Sequence, residues 1–194
     1  MKKIENLILY SLTIMFLHAC SPANILATGG GSAIVIAEGD RSMGSVIDDA
    51  TIKVNIAARF IGSQDNLFID VNNTVLDGRV LLTGLVDSQE IRIEAVRKVW
   101  EVEGVQEVIN EIQIGNRSSV KEYANDLWIN TQAKGLAAKA VGLRVVGYNF
   151  ETIQGKVYIA GITSRPDQLE DLIDAIKTIK GVKEIVNYVI IKEK

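Results

Sequence analysis

Shifted by 77 residues, the sequence lies over itself without a gap. Asp49 falls on Asp126, Ile52 on Ile129, Asn72 on Asn149, Gly78 on Gly155, Val80 on Val157, Gly84 on Gly161, Gly104 on Gly181, Val105 on Val182, Glu107 on Glu184 and Asn110 on Asn187. Between these anchors apolar meets apolar, as at Leu76 and Ile153, Leu82 and Ile159, Val99 and Ile176, and Val108 and Ile185. Two copies are too few for a solenoid, whose units bury their faces only when at least about three are stacked. The chain therefore folds as two domains of one kind.

Each copy reads in the same order. Asp48-Asp49 stands where a helix cap and first-turn acid belong, ahead of Ile52, Ile56 and Phe60 at four-residue spacing. Residues 67–76 and 80–86 are strand-like and flank Asp77-Gly78, a two-residue hairpin signal; the second copy has Gln154-Gly155 there. A second helix is expected over 88–102, with Ile91, Ala95, Val99 and Val102 on one face and a stop at Gly104. The closing strand, 105–114, follows that helical crossover, which makes the sheet mixed. The predicted fold class is α+β: each copy is α-β-β-α-β, a three-stranded mixed sheet with two helices on one face. Gly78, Gly84, Gly104 and their counterparts Gly155, Gly161 and Gly181 are its structural glycines.

Ahead of the repeat, Lys2 and Lys3 precede an apolar run at 7–17, the length of a secretory signal core and short for a bilayer span. Leu17-His18-Ala19-Cys20 resembles the lipobox of bacterial lipoproteins, with histidine at a place that usually holds a small residue. An ordinary signal peptide with a chance cysteine is the other reading. The resemblance implies cleavage before Cys20, acylation of its sulfur and amine, and, with Ser21 next, outer-membrane placement. Several acyl chains hold a protein to a membrane almost permanently. The expected organisation is signal peptide 1–19, lipidated Cys20 and a Gly-rich linker 20–45, then domains over 46–115 and 120–194.

His18 and Cys20 are the sole histidine and cysteine of 194 residues. The processing that the resemblance implies removes the first and blocks the second, which would exclude Cys/His pairs, histidine metal sites, Ser-His-Asp triads and disulfides in the mature chain. With 47% apolar residues and two prolines, the rest is composed to fold on its own core.

The α-β-β-α-β unit, the run Val102-Glu103-Gly104-Val105-Gln106-Glu107-Val108-Ile109-Asn110 and its counterpart from Ile179 to Asn187 resemble the BON domain. Two such units behind a lipobox and a Gly-rich spacer look like the dual-BON outer-membrane lipoproteins. The resemblance implies a non-catalytic, lipid-anchored periplasmic protein that binds phospholipid and maintains outer-membrane integrity, with no cofactor.

Charge separates the copies: residues 46–115 carry 6 basic against 12 acidic side chains, residues 120–194 carry 11 against 9. A positive balance suits anionic head groups. On a wheel of the helix expected at 120–140, Ile129, Ala133, Leu136 and Ala140 share the arc facing the sheet. Leu127 lies nearly opposite, and Trp128 lies about 100° round, in a stripe with Lys121 and Lys139. The first copy has Ala50 and Thr51 at these places, so the shared fold does not require Leu127 and Trp128. Indole favours the membrane interface, and neighbouring lysines pair with phosphates. Leu127, Trp128, Lys134 and Lys139 are thus the expected contacts of the second domain with anionic phospholipid. Packing of Trp128 between the domains or under the C-terminal strand, and docking of outer-membrane assembly proteins on the same helix, are the competing readings.

Asp167, Glu170, Asp171 and Asp174 have the spacing of a solvated helix face, without the glycine-turned loop of a calcium site, so no metal is expected. Tyr148, Tyr158 and Tyr188 fall in strands, where aromatics are ordinary. No basic-aromatic groove points to nucleic acid.

Overall fold

The computed structural model describes residues 42–63, 66–115, 119–142 and 147–192. The signal segment, Cys20 and the linker up to residue 41 lie outside them.

Helix α1 (Met43–Ile61) begins at Ser42, whose hydroxyl accepts the Ser45 N–H at 3.1 Å. The helix therefore starts before Asp48-Asp49, and Met43, Gly44 and Ser45 are helical where a linker was expected. Asp49 has a different task. It is 5% exposed, and its two carboxylate oxygens accept the backbone N–H groups of Asp77 at 2.8 Å and Gly78 at 2.9 Å. These are the central residues of the hairpin turn, both left-handed with φ of 51° and 76°, the geometry that keeps a tight hairpin in step with strand twist. The second copy repeats the clamp, with Asp126 accepting from Gln154 at 2.7 Å and Gly155 at 2.8 Å. An acid that reads as a cap is thus a fastening between the first helix of each domain and its own sheet.

Residues 67–70, expected to open a strand, form the single turn α2 (Leu67–Asp70) after a left-handed Asn66. The Asn66 carbonyl accepts the N–H groups of Ile69 and Asp70, so the chain coils before extending. Leu67 is buried while Phe68 and Ile69 are exposed. Then come β1 (Val71–Leu76), β2 (Arg79–Val86), α3 (Gln89–Trp100) and β3 (Glu107–Ile114). The second copy supplies α4 (Val120–Val141), β4 (Tyr148–Ile153), β5 (Lys156–Thr163), α5 (Pro166–Lys177) and β6 (Glu184–Ile191). In each sheet the hairpin is antiparallel and the closing strand runs parallel to the central one, with Val80 beside Val108 and Val157 beside Ile185. Gly84 sits where the entering chain crosses the central strand: a Cβ there would lie 2.1 Å from the Asp70 carbonyl oxygen. At Gly161 the same addition would lie 2.7 Å from the Gly147 oxygen.

One face of each sheet carries its two helices. Ile52, Ile56 and Phe60 of α1 pack with Ala95 and Val99 of α3 over Val80, Leu82 and Val86. Ile129, Ala133 and Ala137 of α4 pack with Leu169, Leu172 and Ile176 of α5 over Val157 and Ile159. The other faces meet each other, where Leu76 and Leu81 of the first sheet bury against Ala160 and Ile162 of the second, flanked by Ile109, Tyr188 and Ile190. Each large aliphatic side chain withdrawn from water contributes about 1.5–3 kcal/mol, so the domains stabilise one another.

Polar contacts ring this patch. The Tyr188 hydroxyl donates to Glu111 Oε1 at 2.5 Å, Lys156 approaches Glu111 at 3.4 Å and Glu184 at 3.3 Å, and Gln113 Nε2 donates to the Tyr158 hydroxyl at 3.2 Å. Lys192 Nζ reaches Asp77 Oδ2 at 2.6 Å. Burial, with the hydrogen bond to Glu111, pushes the Tyr188 hydroxyl up to about 12. Residues 38–194 form one compact unit containing both cores and the seam between them, so the unit holds within itself what it needs to fold.

Candidate functional site

Helix α4 opens with a reciprocal cap: Ser119 Oγ accepts the Glu122 N–H at 3.4 Å, and Glu122 Oε2 accepts the Ser119 N–H at 3.0 Å. Four-residue steps from Ile129 reach Ala133 and Ala137, all buried, with Leu136 packed beside them. Ala140, expected on this face, is exposed, because it lies beyond the last core residue in the turn that ends the helix.

The outer side of α4 is apolar in its first half. Leu127 is 57% exposed and Trp128 46%, and Trp128 belongs to none of the three buried clusters, so it is not packed between the domains. Val120 and Tyr123 continue the line of Leu127 towards the N-terminus and are more exposed still. The ridge borders a cleft of about 470 Å3, to which the first domain contributes Ile69 and Leu85 and whose polar side holds Asn130 and Glu151. Lys121 and Lys139, both exposed, flank Trp128 on the helix, and exposed Lys134 lies two turns beyond Leu127. Burial pushes the Glu151 carboxyl up, opposed by the positive charge of Lys134; Asp126 adds to the rise, and a hydrogen bond from Asn72 Nδ2 at 3.1 Å counters it.

The structure thus places Leu127, Trp128, Lys134 and Lys139 together on the solvent side of one helix; Cys20 lies outside the described residues. Sequence reasoning missed Val120, Tyr123 and Ile69. The first two carried a signal, since they stand seven and four residues before Leu127, at helical spacing. Ile69 carried none, because a strand assignment hid the helical turn that exposes it. Among the described residues, no group of three or more His, Cys, Asp and Glu side chains is arranged to hold a metal ion, and no helix is long and apolar enough to cross a membrane.

The signature of the BON domain matches this chain twice, over residues 48–116 and 125–193. The chain belongs to the BON domain family. Each match contains one aspartate clamp and three of the structural glycines, and α4 is the first helix of the second BON domain. The outer membrane lipoprotein DolP of Haemophilus influenzae is 31% identical over 185 residues, 92% of this chain and 91% of that protein. A protein of Anaplasma centrale, described as uncharacterized and encoded in the gshII 5′ region, is 37% identical over 147 residues, covering 75% and 96% of the two chains. Osmotically-inducible protein Y of Escherichia coli is 30% identical over 149 residues, covering 75% and 73%.

Proposed function

We propose that this chain is a non-catalytic lipoprotein held at the periplasmic face of the outer membrane through Cys20, and that its second BON domain lays α4 on anionic phospholipid and so supports membrane integrity. The observation that carries this is the exposure of Leu127 and Trp128 on a helix that also exposes Lys121, Lys134 and Lys139. For the anchor, support comes from the lipobox-like Leu17-His18-Ala19-Cys20 and from the likeness to DolP over 92% of the chain.

Magnitudes divide the labour between the two attachments. Burying the remaining exposed half of a Leu or Trp side chain yields about 1–1.5 kcal/mol, and each lysine near an anionic surface about 1 kcal/mol. Such a grip is weak from solution but ample for a domain already tethered at high local concentration. The anchor retains the protein, and α4 chooses where the domain lies.

Vesicle sedimentation of residues 38–194 tests the α4 contact without the acyl chains. Phosphatidylglycerol vesicles should carry the protein down and phosphatidylcholine vesicles should not. Trp128→Ala should weaken binding by about fivefold to tenfold, the worth of one buried ring, and Lys134→Glu, which removes a positive charge and adds a negative one, by about thirtyfold. Binding indifferent to both vesicle charge and Trp128 refutes the phospholipid reading. A protein-interaction adaptor for envelope-assembly machinery would then be favoured by the cleft rimmed with Ile69, Val120, Tyr123 and Leu127.

A further inference from the structure

The seam between the two sheets is apolar along Leu76, Leu81, Ala160 and Ile162, but beside the edge strands β1 and β4 it widens into a pocket of about 200 Å3. Asn73, Thr74 and Thr83 line it from the first sheet, Asn149 from the second, and Lys53 and Lys134 from α1 and α4. The lysines come from helices of different domains and from positions that are not equivalent in the repeat, so only the packing of the two copies brings them to one place.

Three observations give this pocket an electrostatic character and unmet hydrogen-bonding capacity. Neither Lys53 nor Lys134 forms an ion pair among the described residues. The carboxylate lining the pocket is Glu151, which accepts from Asn72 and already feels the positive charge of Lys134, so the two lysines leave the pocket with one positive charge in excess. Thr83 is 3% exposed with no side-chain hydrogen bond among the described residues, and Asn73 Oδ1 is buried without a partner. Buried polar groups left unpaired are costly, and half a turn of the Asn73 amide presents Nδ2 as a donor in the same place.

We propose that this pocket holds a phosphate group, gripped by the ammonium groups of Lys53 and Lys134, with Thr83 and Asn73 as neutral donors. The two lysines supply charge-assisted bonds to the phosphate oxygens, and the hydroxyl and amide complete the shell. Because the lysines belong to different domains, a bound phosphate also staples the two copies together. The inference builds on the phospholipid reading through Lys134, and the phosphate comes from a lipid head group or from a free phosphate compound. The pocket admits the head group alone, leaving acyl chains outside.

Amide NMR of residues 38–194, titrated with inorganic phosphate and separately with the soluble head group glycerophosphoglycerol, tests it. Saturable shifts are expected at Asn73, Thr83 and Asn149. Lys53→Gln and Lys134→Gln should each weaken binding about tenfold or more, the worth of one charge-assisted bond, and Lys180→Gln, a distant exposed lysine, should leave it unchanged. No saturable shift at these amides, or an equal loss in Lys180→Gln, overturns the proposal. Competition by phosphatidylglycerol vesicles assigns the phosphate to lipid; saturable phosphate binding that such vesicles leave untouched assigns it to a soluble source. The titration with inorganic phosphate involves no membrane, so it fails or succeeds independently of vesicle sedimentation.

Discussion

Replacing Asp49 with alanine removes both acceptors of the hairpin clamp. The carboxylate is 5% exposed and takes two backbone N–H groups, the Gly78 one buried and the Asp77 one partly so. A hydrogen bond to a charged group contributes about 1.5–3 kcal/mol, and a buried donor left unsatisfied loses its solvation as well. Water can reach the Asp77 amide after truncation but not readily the Gly78 amide, so the expected loss is about 3 kcal/mol rather than the full sum. Asp49→Asn keeps one acceptor and should lose about half as much. The assay is urea unfolding of residues 38–194, read as a lower midpoint at an unchanged slope. Asp126→Ala breaks the same clamp in the second domain, where the turn is more open to solvent, and should lose less. Asp48→Ala, one residue away and exposed, is the control. An Asp49→Ala loss no greater than that of Asp48→Ala refutes the clamp.

Two further outcomes are expected. The Tyr188 hydroxyl, pushed up to about 12 by burial and its bond to Glu111, ionises above its ordinary value of 10.0, so the folded state favours the neutral phenol. That contribution is fully present below pH 10 and is lost as pH rises through about 12. Tyr188→Phe should therefore flatten the decline of the urea midpoint across this window, and an unchanged slope would count against Tyr188 as its source; Tyr158, also pushed up by burial, gives a smaller background. For the anchor, Cys20→Ala should abolish incorporation of labelled fatty acid and shift the chain to the aqueous phase in detergent partitioning. Continued acylation would sink the lipobox assignment.

The repeat, the hairpins, the mixed sheets and the exposed pair on α4 could all be read from periodicity, because each rests on local spacing. What escaped was set by partners far along the chain. Asp49 resembles a cap because acids favour helix starts, yet its partners are turn amides 28 and 29 residues away. Residues 67–70 look like strand because Leu67-Phe68-Ile69 is an apolar run; the left-handed Asn66 decides otherwise. The sheet-to-sheet seam had a trace in the central strands, apolar on consecutive positions at Val80-Leu81-Leu82 and Val157-Tyr158-Ile159-Ala160, as expected of strands covered on both faces. Which surface covers the second face is not a local property: Glu111 and Tyr188 are equivalent positions of the repeat, 77 residues apart, yet the repeat alone does not say that they touch, and nothing in spacing signals that Lys53 and Lys134 line one pocket.

The back-to-back sheets also bear on how such a pair can change over time. A lone copy would present Leu76 and Leu81, or Ala160 and Ile162, to water as an oily sheet face. Once the duplicated halves came to shield each other, neither could be discarded or transplanted without exposing that face. The outer helix surfaces carry no such obligation, and there one copy keeps Ala50 and Thr51 while the other displays Leu127 and Trp128. Mutual shelter on the inside leaves the two exteriors free to diverge, so the first domain can serve as a permanent backrest for the specialisation of the second.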